Sequence, residues 1–175
     1  MKVSWNFLVV FLLMLAIQAC KTHSIKARGN IISSSNGKEL ILNGRVSLPL
    51  FDDYEKLFLD DYSAIIAAPD YRVVYRWIDK AEIEFIGSDK SPYDFFKGAL
   101  TNPTSEVEER FLEGVNSEVH QSASLTSNLE FYWFDNGDGQ QVYVLSPSLS
   151  FALEITYKGL SDKFLGDIID KSKLQ

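Results

Sequence analysis

The spacing of hydrophobic positions changes several times along the chain, and the changes predict its elements. Residues 7–17 (FLVVFLLMLAI) form an unbroken apolar run of 11, preceded by Met1 and Lys2 and followed by Gln18, Ala19 and Cys20. A helix needs roughly 20 apolar residues to cross a bilayer, so this run is too short for a permanent span. Apolar residues then recur in short groups at 31–35, 38–42 and 45–48, punctuated by Asn36-Gly37 and Asn43-Gly44. Asn-Gly suits the positive-φ positions of a tight hairpin turn, and the pattern predicts a small meander. Over 52–67, Tyr54, Leu57, Phe58, Tyr62, Ile65 and Ile66 fall on one helical face with Pro69 as the stop, which predicts a helix. Ile65 and Ile66 also fit the opening of a strand. Residues 71–78 (YRVVYRWI) and 81–86 (AEIEFI) predict paired strands turning at Asp79-Lys80. In the second, Ala81, Ile83 and Phe85 point inward and Glu82 and Glu84 outward.

Helical spacing follows. Ser91 and Pro92 make an N-cap and first helical position for a short helix through Leu100, and Asn102-Pro103 ends it. Ser105 with Glu108 three residues on predicts a capping box and a second helix to about Val115. Val107, Phe111 and Val115 take its inner face, and Glu106, Glu109 and Glu113 its outer face. Strand patterns return at 129–134, 141–145 and 149–157, separated by turn-forming stretches at 135–139 and 146–148. A last helix, capped by Ser161, carries Phe164, Leu165, Ile168 and Ile169 as its apolar stripe, with Lys171 and Lys173 near its negative end. Together these predict an α+β fold: an antiparallel sheet with helices packed on one face and a C-terminal amphipathic helix. The closing strand, turn and helix resemble the end of PsbP-like or Mog1-like domains.

The first twenty residues are a secretory signal by their order of positive start, short apolar core and small residue. Ile17-Gln18-Ala19-Cys20 resembles the lipobox of bacterial lipoproteins, in which the cysteine is acylated and becomes the new N-terminus. The resemblance implies a signal peptide at 1–19, a lipidated polar tether at 20–38 and one globular domain at 39–175, attached to the membrane through lipid on Cys20. Cys20 is the only cysteine in the chain, so no intramolecular disulfide supports the domain. A lone thiol in an oxidising compartment is a liability that a thioether to lipid removes. Lys21 stands where an inner-membrane lipoprotein carries aspartate, which implies the periplasmic face of the outer membrane if the cell is Gram-negative.

Charge separates the two parts. Lys21, Lys26, Arg28 and Lys38 make the tether basic, whereas residues 39–175 hold 12 Lys or Arg against all 24 Asp or Glu, a net charge of −12. Such a domain does not bind nucleic acid through counterion release, and it is repelled by anionic headgroups. A basic protein partner is the complementary expectation, and the row Glu106, Glu109 and Glu113 is either the surface offered to it or a solvated face that serves solubility.

Catalytic chemistry finds no motif. Asn136, Asp138 and Gly139 match three positions of a calcium loop, but Phe134 and Leu145 stand where its first and twelfth ligands belong, so 135–139 is read as a hairpin turn. His23 and His120 are the only histidines, too few for a metal site of ordinary spacing, and His120 is read as an exposed strand-end residue. No phosphate-binding glycine loop or nucleophile elbow is present. The adjacent pairs Asp52-Asp53, Asp60-Asp61 and Glu108-Glu109 diverge on a helix instead of facing each other across a substrate. Phe131, Tyr132, Trp133 and Phe134 are read as core instead of a sugar platform. No catalytic, cofactor or metal residue is therefore nominated. The expected function is that of a non-enzymatic binding or accessory lipoprotein of the envelope. The alternatives are an immunity protein against a secreted toxin, or a cell-wall hydrolase recognisable by two close carboxylates in a cleft or by His120 beside a serine.

Overall fold

The computed structural model describes residues 29–34, 37–42, 44–50, 54–115, 117–124 and 128–175. Cys20, the signal segment, His23, Asn36, Asn43 and the pair Asp52-Asp53 lie outside them. Two antiparallel sheets form the frame. The smaller has the order β1-β2-β3-β11, built from β1 (Gly29–Ser34), β2 (Gly37–Leu42), β3 (Val46–Leu50) and β11 (Lys173–Leu174). The expected meander is present, and its first strand begins inside the stretch read as tether. The larger sheet has the order β4-β5-β6-β10-β9-β8-β7: β4 (Lys56–Leu59), β5 (Ser63–Ala67), β6 (Arg72–Asp79), β10 (Phe151–Lys158), β9 (Gln140–Leu145), β8 (Glu130–Asp135) and β7 (His120–Ala123). Four helices complete the described chain: α1 (Lys80–Phe85), α2 (Pro92–Thr101), α3 (Glu106–Glu113) and α4 (Asp162–Lys171). The architecture is α+β.

Alternation along the central strands creates two cores. On β6, Val73, Tyr75 and Trp77 face one way, and on β10 Leu153, Ile155 and Tyr157 join them. This face packs against Leu40, Leu42, Val46 and Leu48 of the small sheet and against Phe164 and Ile168 of α4. The opposite face offers Ile78, Ala152, Tyr143 and Phe134 to Ile83, Phe95, Phe96 and Leu100 of α1 and α2. Each large apolar side chain buried in this way contributes about 1.5–3 kcal/mol, so both layers are strongly held. The helices α1 to α3 thus share one face of the sheet, while α4 lies on the other beside the small sheet.

Two expectations are corrected. The helix read over 52–67 is a hairpin, β4 and β5. Asp60 Oδ1 accepts from the backbone N–H of Tyr62 at 2.8 Å and of Ser63 at 2.5 Å, and Ser63 Oγ donates to Asp60 Oδ2 at 2.8 Å. That side-chain turn reverses the chain, after which Ala64 and Ile66 reach the inter-sheet core beside Leu57 and Leu59 while Phe58 and Ile65 lie on the other face. The strand read over 81–86 is helix α1. Asp79 caps it, Oδ1 accepting from Ala81 N at 2.9 Å and Glu82 N at 3.2 Å, and the pairing of β6 with β10 ends at Asp79 opposite Phe151. The box expected at Ser105 is half formed: Ser105 Oγ accepts from Glu108 N at 3.3 Å, but the Glu108 carboxylate turns to Thr104 and Lys90.

Tyr75 illustrates a buried group without compensation. Its side chain is wholly enclosed between the sheets, its hydroxyl has no hydrogen-bond partner among the described residues, and burial drives the phenol far above its ordinary pKa. An unsatisfied hydroxyl opposes folding by about 1–3 kcal/mol, whereas the ring contributes through burial. Tyr75→Phe is accordingly expected to match or exceed the parent by about 1 kcal/mol in urea unfolding. A clear loss of stability in that variant contradicts this account.

Candidate functional site

A cleft of about 620 Å³ opens between α1, the α2–α3 pair and the sheet. Its position follows from the layers. Helices α1 to α3 cover only the end of the sheet near Ile78, Tyr143 and Ala152, and beyond it the row Gln141, Thr156, Val74, Ile65 and Phe58 runs across β9, β10, β6, β5 and β4 without a helix over it. The cleft sits where the cover stops. Its floor is aromatic: Phe95, Phe96, Phe111 and Tyr143 line it, with Phe96 stacked on Tyr143 at 4.7 Å and Phe111 edge-on to Phe96 at 5.4 Å. These rings are held by α2, which Ser91 caps through its Oγ to Asp94 N at 3.1 Å, and by the inner face of α3.

The rim is exposed and apolar. Phe85 is 91 % exposed, Tyr62 45 % and Ile86 44 %, and all three line the cleft, while Phe58, 58 % exposed, lies on the same sheet face beyond it. No other large apolar side chain is exposed over residues 39–42, 44–50, 54–115, 117–124 and 128–175. Helical geometry explains Phe85. Ile83 and Phe85 would share a face in a strand, but about 100° per residue turns them nearly opposite in α1, so Ile83 enters the core and Phe85 leaves it.

One wall is charged. Arg76 donates through Nη2 to Glu82 Oε1 at 2.5 Å and through Nη1 to Glu154 Oε2 at 3.2 Å. Gln141 donates to Glu154 Oε1, and the Tyr143 hydroxyl also reaches that oxygen at 3.4 Å. Partial burial works against the Arg76 charge, but the bonds and charges of Glu82 and Glu154 outweigh it and raise its pKa. Burial pushes the Tyr143 phenol well above its ordinary value, and the Glu154 charge adds to this. The second carboxylate oxygen of Glu82, Oε2, is buried and unbonded among the described residues.

The sequence-nominated row is elsewhere. Glu106, Glu109 and Glu113 are exposed on the outer side of α3, whereas Phe111 of the same helix lines the cleft, and Arg110 lies 3.8 Å from Glu106. His120 is exposed at the start of β7 and stacks on Trp133 at 5.7 Å. Ser117 shares its shallow depression, but the Ser117 hydroxyl donates to the Asp135 carbonyl at 2.8 Å. Glu82 lines the cleft and Glu154 does not, and the Arg76 guanidinium bonds both carboxylates, so the two do not face each other across a free space where a glycosidase would hold a scissile bond. Residues 135–139 form the turn joining β8 to β9, closed by Asn136 N to Gly139 O at 3.0 Å with Gly137 at φ 83°. No cluster of metal-ligating residues occurs among the described residues, and no helix there is long and apolar enough to cross a membrane. Comparison with protein families, with characterised proteins and with solved structures finds no match.

Proposed function

We propose that this chain is a non-enzymatic, lipid-anchored envelope protein that holds a protein partner at the cleft between α1 and the α2–α3 pair. The observation that carries this reading is the gathering of Tyr62, Phe85 and Ile86, all exposed, around one aromatic-floored concavity. Soluble surfaces scatter exposed hydrophobics singly, and a cluster rimmed by charge marks a place that another molecule covers. The anchor rests on Ile17-Gln18-Ala19-Cys20 and its resemblance to the lipobox, with Lys21 directing the protein to the outer membrane's periplasmic face in a Gram-negative cell. Lipid on Cys20 holds the chain at the membrane, and the domain's charge of −12 keeps it off anionic headgroups, which leaves the cleft accessible. The acidic wall favours, as a narrower form of this reading, an immunity protein that neutralises a basic secreted toxin.

A photoreactive benzoylphenylalanine placed at position 85 of the full chain, in the cells that make it, tests both parts. A discrete adduct is expected from position 85 and none from position 163 on the exposed side of α4, with both proteins in the membrane fraction. Equal yields at the two positions remove the cleft from the reading. Cys20→Ser is expected to shift the protein out of the membrane fraction, and its retention there removes the anchor.

A further inference from the structure

Resting on that reading, we infer that the partner inserts a lysine or arginine side chain beside an apolar anchor, with the cation meeting Glu82 and Asp79 and the anchor resting on Phe96 and Phe111. Three charged residues line this end of the cleft, Arg76 against Asp79 and Glu82, and Glu154, outside the lining, pairs with Arg76, so the four sum to −2. Arg76 is already paired twice, at 2.5 and 3.2 Å, so an incoming carboxylate finds no free cation and two repelling acids. An incoming cation finds the opposite. Glu82 spends Oε1 on Arg76 and leaves Oε2 unbonded, and Asp79 spends Oδ1 on the start of α1 while its Oδ2 makes no bond among the described residues.

Leaving a carboxylate oxygen buried and unpaired is unfavourable, and a donor from outside removes that penalty. The Glu82 side chain is a third exposed, so a rotation within the cleft presents Oε2 to a bound ammonium or guanidinium. The rings of Tyr62 and Phe85 at the mouth suit the same group, since the aliphatic stem of a lysine or arginine packs on an aromatic face and its charge is attracted by that face. A cleft of about 620 Å³ holds one or two such side chains and not a folded element. The exposure of Phe85 on the outside calls for a partner broad enough to cover it, which a protein segment provides. The net charge of −12 on the domain draws a basic segment to this surface over distance.

The test uses the full lipidated chain in nanodiscs of zwitterionic phosphatidylcholine and three labelled, end-blocked peptides: Gly-Ser-Phe-Lys-Leu-Ser-Gly and the same sequence with Gln or Glu in place of Lys. Fluorescence anisotropy is expected to rank Lys above Gln by about tenfold and Glu last, as a charge-assisted hydrogen bond predicts. Glu82→Gln is expected to bring the Lys and Gln peptides within about twofold of each other. Phe85→Ser with Ile86→Ser should weaken all three alike. Equal binding of the Lys and Gln peptides to the parent overturns the cation inference and leaves the cleft standing. Failure of every peptide to bind, or binding indifferent to the Phe85 and Ile86 changes, overturns the cleft itself. A melting curve establishes that Glu82→Gln is folded, and the ranking on the parent decides the inference even where it is not.

Discussion

Lys90→Met is expected to lower the free energy of unfolding by about 3–5 kcal/mol, more than Glu108→Gln in the same protein, although the two residues form one ion pair. The difference comes from burial. Glu108 is 0 % exposed at the contact of α2 with α3, whereas Lys90 keeps about a third of its side chain in water. Lys90 Nζ donates to Glu108 Oε1 at 2.5 Å and to Thr104 Oγ1 at 3.0 Å, and Thr104 donates its N–H and its hydroxyl to Glu108 Oε2 at 2.8 and 3.0 Å. Removing the lysine strands an enclosed carboxylate on two neutral donors. Neutralising the carboxylate leaves a lysine that can swing out to solvent, so about 1–3 kcal/mol is expected there. Chemical unfolding of the two variants side by side gives the ranking, and the reverse order contradicts it.

The same pair sets an acid limit. Burial alone would push the Glu108 carboxyl up, but the bonds from Lys90 and Thr104 outweigh it and hold it down, to about 2 against an ordinary 4.5. A group that releases its proton more readily when folded stabilises fully above its unfolded value. Its contribution is therefore complete above about pH 4.5 and is lost as the pH falls toward 2, an amount of about 3 kcal/mol. In Lys90→Met the acid unfolding midpoint should move to higher pH, and coincident midpoints would remove the pair from acid stability.

Gly98 shows why this lock is hard to read in sequence. A glycine in the middle of α2 looks like a helix defect, yet a Cβ there would stand 2.6 Å from Glu108 Oε1. The two helices approach through Gly98, and no spacing rule relates residues 90, 98 and 108. By contrast, the caps at Ser91 and Ser105, the strands near 130–158 and the last helix were legible because each rests on local periodicity or a turn. The hairpin β4–β5 was misread because six apolar residues happen to satisfy helical spacing, while the decisive contact, Asp60 with Tyr62 and Ser63, is a side-chain turn. For α1 the signal was present in Asp79 and Glu82, a helix-start pair three apart, but Ala81, Ile83 and Phe85 imitate a strand. The cleft was not legible at all. Its walls come from β6, α1, α2, α3, β9 and the β4–β5 turn, and only the layered packing brings Tyr62, Arg76, Phe85, Phe111 and Tyr143 together.

Ile168→Asp is expected to unfold the domain outright, and the geometry of α4 explains why so small a change suffices. Ile168 is 0 % exposed, and one turn earlier Phe164 meets Tyr157 of the central strand β10 edge-on at 4.6 Å. The helix thus closes the larger core from the side of the small sheet, and β11 follows it to pair with β3 through Lys173 with Ser47 and Leu174 with Val46. A carboxylate at position 168 has apolar neighbours and no partner, so it must be buried charged, be protonated, or force the helix away. Each alternative costs several kcal/mol against a total stability of about 5–15. Undocking α4 would also uncover Tyr157 and withdraw β11 from the small sheet, so the loss spreads to both sheets. Ile168→Val, which removes one methylene without adding charge, should cost only about 0.5–1.5 kcal/mol. Circular dichroism of both variants decides the matter: Ile168→Val should show a cooperative melt slightly below the parent, and Ile168→Asp none. A parent-like melt for Ile168→Asp means that α4 does not close the core.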